Sequence, residues 1–268
     1  MLTMLSSAAL LAGVLAIVQS TRALHTTTPS PPQKRGTVAF FNPANGGGSM
    51  LDNAGDGLGE PLNVIISGLS SSDVLTDDGF LNFAQSLGLS FECLGLHLGA
   101  PQSADLGDGN GFVNQTTELR QDYGNAELGT CLETLIGGNH LRYVVALLSP
   151  LLSSSLLSDS LYFTPNLPPL YPQRVFRQNG TDADSGALFL AVSKEEDLEE
   201  SHTIVPDGYD IGRDTLVSTA IAGQTSFGGV TYSTTAENVT GLLPVGSSGV
   251  NHGIALDGIV TLLTVTIV

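Results

Sequence analysis

Tryptophan is absent, cysteine occurs twice, lysine stands only at Lys34 and Lys194, and lysine plus arginine total 9 against 26 acidic residues in a chain of 268. A formal charge of −17 excludes nucleic acid as a partner, because phosphate binding requires a concentration of basic side chains. It equally disfavours adhesion to anionic membrane surfaces. Neither of the two cysteines lies in a C-x-x-C or other metal-like spacing. With so little lysine there is no Walker motif, and no G-x-G-x-x-G follows a strand, so no nucleotide cofactor is expected. Charged residues make up only 13% and hydrophobic ones 41%, which excludes wholesale disorder. The length suits one ordinary domain with a sizeable core.

What is present begins with a secretory pattern. An apolar run from Ala8 to Val18 precedes Gln19-Ser-Thr-Arg-Ala23, with small residues placed for a signal peptidase. The run is about half the roughly 20 residues a bilayer span needs. Residues 1–23 are therefore read as a signal peptide, and no stable membrane span is expected in the mature chain. Residues 24–36, rich in Thr and Pro and ending near the dibasic pair Lys34-Arg35, read as a linker or pro-segment. Sequons at Asn114, Asn179 and Asn238 fit the same compartment. So does a single disulfide between Cys93 and Cys131, worth roughly 4 kcal/mol by loop-closure entropy, with two buried free thiols as the alternative.

From Thr37 the pattern becomes globular. Thr37–Phe41 is a short strand candidate. Leu62–Ser67, β-branched and bounded by Pro61 and Gly68, predicts a strand covered on both faces. Thr76 as N-cap, Asp77 and Asp78 in the first turn, apolar Phe80, Phe83, Ala84 and Leu87, and Gly88 as a stop predict a helix. Ser90–His97 follows as a second strand, making a βαβ start. Gly186–Ser193 predicts a buried strand, Tyr209–Ala222 a helix and Thr261–Val268 a terminal strand. Glu195–Glu200 reads as a solvated acidic turn or short helix. The expected class is α+β, a single domain over 37–268 with a mixed β-sheet, a few packed helices and unspecified strand order.

Residues 143–173 break this pattern. They carry one charge, Asp159, and five prolines, at 150, 165, 168, 169 and 172, with neither helical nor strand periodicity. The segment reads as a low-complexity insertion translated from a retained intron. Arg142-Tyr143-Val144 can be encoded as CGG-TAC-GTN, which contains a donor site, and Arg174 as AGG supplies an acceptor. Excision would join Arg142 to Val175. A genuine Pro/Ser/Leu-rich insertion is the alternative.

The segments Glu92–His97, Leu106–Gly109, Gly129–Glu133, Gly137–Arg142 with Val175–Gly180, His202–Asp214 and Gly249–His252 resemble a family of secreted fungal proteins without assigned activity. More distantly, the order of Pro-Leu-Asn-Val, Asn-His-x-Arg, Gly-Ala-Leu-Phe and His-x(7)-Asp-x(2)-Arg-Asp is similar to the C-terminal domain of LssY-type proteins. Neither resemblance implies a reaction.

The chemistry is therefore weighed residue by residue. His140, His202, Asp210 and Arg213 are the candidate catalytic set, and His140, His202 and Asp210 the candidate metal ligands, because imidazole and carboxylate near strand and helix ends can bind a metal or move a proton. The competing expectation is architectural: Asp207 or Asp210 caps a helix, Arg213 pairs with a carboxylate, and the histidines bond to backbone. The acidic loops around Asp52–Glu60 and Asp105–Asn110 do not fit an EF-hand. The expected function is that of a non-enzymatic extracellular or wall-associated protein binding an unidentified ligand, with a metal-assisted hydrolase as the alternative.

Overall fold

Val64–Ile66 forms strand β1 at the centre of the sheet, and all three of its residues are buried. Two cores meet across it. Val64 and Ile66 face one with Phe80, Phe83, Leu190 and Leu263, while Ile65 faces the other with Phe189, Leu262 and Tyr209. A near-continuous apolar strand is what burial on both faces requires. In this computed structural model the described residues are 37–95, 102–114, 117–126, 128–143, 176–197, 199–201 and 203–268. The proposed signal peptide and linker, most of 143–173, His97 and His202 lie outside them.

After β1 come helix α1 (Asp77–Ser86), β2 (Leu89–Phe91), β3 (Ser103–Asp105), β4 (Phe112–Asn114), β5 (Thr117–Gln121), α2 (Gly129–Ile136) and β6 (Gly138–Tyr143). Then follow β7 (Arg177–Asn179), β8 (Asp184–Glu195), α3 (Gly208–Ile221), β9 (Gln224–Phe227), β10 (Val230–Thr240) and β11 (Ile259–Ile267). The main sheet runs β2-β5-β6-β8-β1-β11-β10-β9, with β7 also paired to β8, and β3 and β4 form a separate ribbon. Only β1 and β11 pair in parallel among the described strands. The class is α+β with a mixed sheet, as the sequence indicates.

Helix α1 starts as predicted, Thr76 accepting a hydrogen bond from the Gly79 amide and Phe80, Phe83 and Ala84 buried. Three expectations need correction. Thr37–Phe41 is not a strand, because the Gln178 side chain takes both the amide and the carbonyl of Phe41. The second strand ends at Phe91: Cys93–Gly95 is a 3-10 turn, with Leu94 in the left-handed region, where Cys93 is bonded to Cys131 on α2. The βαβ start does not bring neighbours together, since β5, β6 and β8 separate β1 from β2.

Helix α3 packs closely on β8. A Cβ on Gly212 would lie 2.4 Å from the Ser193 carbonyl carbon, so only glycine permits that approach. No described helix is long and apolar enough to cross a membrane.

Candidate functional site

The sheet places charge on one face by simple alternation. On β5, Glu118 and Arg120 point the same way. His140 on β6 stands directly opposite Arg120. Ser193 on β8 stands opposite His140, which puts Glu195, two residues on, on that face as well. Helix α2 lies over it and adds Glu133. The helix can come this close because Gly129, in its first turn, has no side chain: a Cβ there would fall 1.4 Å from the Asp122 carbonyl oxygen. The disulfide ties the same helix to the Cys93–Gly95 turn, with a Cα separation of 4.6 Å.

These side chains form a closed ring of alternating charge. His140 Nε2 is 2.9 Å from Glu118 Oε1, and Nδ1 is 2.5 Å from Glu195 Oε1. Arg120 completes the circuit, donating from Nη2 to Glu118 at 2.6 Å and from Nη1 to Glu195 at 2.7 Å. Arg120 also meets Glu133 at 3.2 Å, and Glu92 lies 3.8 Å from its Nε. Both ring nitrogens of His140 face carboxylate oxygens, so the histidine is an imidazolium. Its side chain is 0% exposed.

Burial disfavours the charged imidazole, but Glu118 and Glu195 outweigh it and raise the His140 pKa to about 9. Burial pushes Glu195 up, and His140 and Arg120 more than reverse this, holding it at about 2. Glu133 is the exception: desolvation dominates over Arg120 and raises its pKa. Arg120 is raised despite its own desolvation, because three glutamates surround it.

A second network holds the start of α3. Arg213, 3% exposed, donates to both carboxylate oxygens of Asp257 at 2.7 and 2.8 Å. It also reaches Asp210 at 3.2 Å, Asp214 at 2.9 Å and the Ile259 carbonyl at 3.0 Å. Asp210 in turn accepts the Asp257 amide at 3.1 Å. Burial and the neighbouring Asp257 raise the Asp210 pKa. Hydrogen bonds from Arg213 lower that of Asp257 against the effect of burial.

Of the four predicted site residues, the three that are described, His140, Asp210 and Arg213, thus do not meet in one pocket. His140 belongs to the Glu118, Glu195 and Arg120 ring. Asp210 and Arg213 belong to the clamp with Asp257, as the architectural expectation had it for Arg213. His202 lies outside the described residues. Glu195 corrects the acidic-turn reading: it is buried at the end of β8 because its carboxylate is needed by His140 and Arg120. Sequence reasoning missed Glu118, Arg120, Glu133 and Glu195. The only local signal was the alternation Glu118-Leu119-Arg120, apolar between charges.

Glu118, His140 and Glu195 each offer a ligand atom, and these lie within 4.8 Å of one another. The donor set is of a kind that binds divalent zinc or manganese. The fit is poor as the side chains stand, because Arg120 already holds both carboxylates and the imidazole has no free lone pair. A cavity of about 140 Å³ lies on the opposite face of β5, bordered by Gln121, Tyr123, Asn139, Thr215 and Thr219. It includes none of the candidate residues and is well below the roughly 300 Å³ of an ordinary ligand pocket. Asn114, Asn179 and Asn238 are all exposed, as a glycan requires. No family model, no curated protein and no solved structure matches this chain.

Proposed function

We propose that this is a secreted, glycosylated, non-enzymatic extracellular protein, whose charged constellations serve the fold and whose role is to bind a ligand or wall component. The observation that carries the reading is the closed ring: every titratable group of the His140 site is occupied by another, and the imidazolium is sealed from solvent. A general base needs a lone pair within reach of substrate, and His140 offers none. Arg213 is likewise spent on Asp257, Asp214 and Asp210.

Binding is favoured over catalysis by the outer face of α2. Leu128, Leu132, Leu135 and Ile136 are exposed at helical spacing, and contiguous exposed apolar surface is a feature of association surfaces. Secretion is supported by the signal-like segment, the disulfide and the three exposed sequon asparagines.

The second reading, a metal-assisted hydrolase, rests on the proximity of Glu118, His140 and Glu195. It requires Arg120 to leave and His140 to lose its proton. Metal analysis and thermal unfolding of the secreted protein, with and without chelator, separate the two. A metal-free protein with an unchanged melting temperature is expected. Stoichiometric metal whose removal lowers the melting temperature would establish the metal centre instead.

A further inference from the structure

Strands β6 and β7 share one partner. Both run antiparallel to β8, and the hydrogen bonding of β8 shows on which edge each lies. Val192 directs its amide and carbonyl to the Asn63 side chain, which extends the line of β1. Its odd-numbered neighbours therefore address the opposite edge, where β6 pairs. Phe189 has the same parity, and its amide donates to the Phe176 carbonyl at 3.0 Å. Ile66, on β1, already occupies the other side of Leu188. So β7 lies on the same edge as β6, end to end with it and in the same direction.

The registers agree as well. Arg142 is opposite Ala191, and Arg177 is opposite Leu188. Three steps back along β8 correspond to three steps forward on its partner, so an uninterrupted strand would place residue 145 opposite Leu188. Residue 177 stands there instead, an offset of 32 (177 − 145). The offset is even, so alternation is preserved. His140 and Phe176 face the same side, as continuation of one strand demands, and Phe176 is buried there against Phe189 and Ala191. The same 32 positions separate Arg142 from Arg174, the residues whose codons can carry the two splice sites.

We infer that β6 and β7 are two halves of one β-strand, interrupted in register by 32 residues that the fold does not require. Joining Arg142 to Val175 restores a single strand along β8. The full chain bears the entropy of bringing together two strand halves 32 residues apart in sequence, and the shortened chain does not.

The test compares the full chain with a chain lacking residues 143–174 and one lacking residues 143–175. The 32-residue deletion is expected to be secreted in at least equal yield, with an equal or higher melting temperature and unchanged near-ultraviolet dichroism. The 33-residue deletion leaves the strand one residue short between Ala191 and Leu188. It is expected to lose several degrees of melting temperature or to fail to fold. A 32-residue deletion that does not fold, or a 33-residue deletion equally stable, would overturn the inference. Glu-C peptide mapping of the protein from its natural source, with cleavage after Glu133 and Glu195, adds a measurement independent of refolding: a peptide from Thr134 to Glu195 that is 32 residues short supports it, and one of full length overturns it.

Discussion

His140 and Arg120 stand directly opposite each other on neighbouring strands and hold the same two carboxylates, Glu118 and Glu195. Two cations face to face would repel in a low-dielectric interior. Here each carboxylate lies between them, so removing any one member exposes a like-charge pair or an uncompensated buried charge.

The pH dependence of stability follows with a definite sign. His140 has a folded pKa of about 9 against 6.5 for the free side chain. A raised pKa contributes stability that is fully present below pH 6.5 and lost as the pH rises through 9. Glu195 at about 2, against 4.5, contributes stability present above pH 4.5 and lost as the pH falls through 2. Urea unfolding across pH 3–10 is expected to show maximum stability between about 4.5 and 6.5 and a decline on the alkaline side. A midpoint that stays flat from pH 6 to 9 would contradict the buried imidazolium.

Arg120→Met should destabilise by about 3–5 kcal/mol, because it strands three buried glutamates. The accompanying Glu133→Gln change should recover part of the loss. Denaturant midpoints for the single and double variants measure this coupling.

Arg213→Ala is expected to cost about 3 kcal/mol, since the guanidinium joins α3 to the turn before β11 and separates Asp210 from Asp257. Asp214→Asn, whose side chain is 70% exposed, should change stability by no more than about 0.5 kcal/mol. Equal effects of the two would show that the clamp is not the anchor of α3.

Cys131→Ser should lower stability by roughly 2–4 kcal/mol through release of the loop. It also frees α2 from the Cys93 turn, so amide protection in Gly129–Ile136 is expected to fall more than in β8.

Leu132→Asp combined with Leu135→Asp, on the exposed side of α2, should leave the melting temperature within about 2 °C while reducing binding of a hydrophobic dye. A large drop in melting temperature would make these leucines part of the core.

Much of the fold was legible from local pattern. Helix α1 was readable because its cap, first-turn acids and apolar spacing coincide within a few residues. Strands β1 and β8 were readable because burial on both faces leaves continuous apolar runs, and β11 because it is rich in β-branched residues. Strand β10 was not, because most of its residues from Thr235 on are exposed, and a solvated strand rich in Thr, Ser, Glu and Asn carries no periodic signal.

By itself, the sequence determined the α+β class, a strand buried on both faces, the capped helix and the pairing of its two cysteines, because each depends on local periodicity or on there being one choice. Only the tertiary structure decided the partners of His140 and Arg213. Glu118, Glu133 and Glu195 lie on separate elements, and their convergence comes from strand order and register. Those are set by packing between segments distant in the chain, and no local pattern records them.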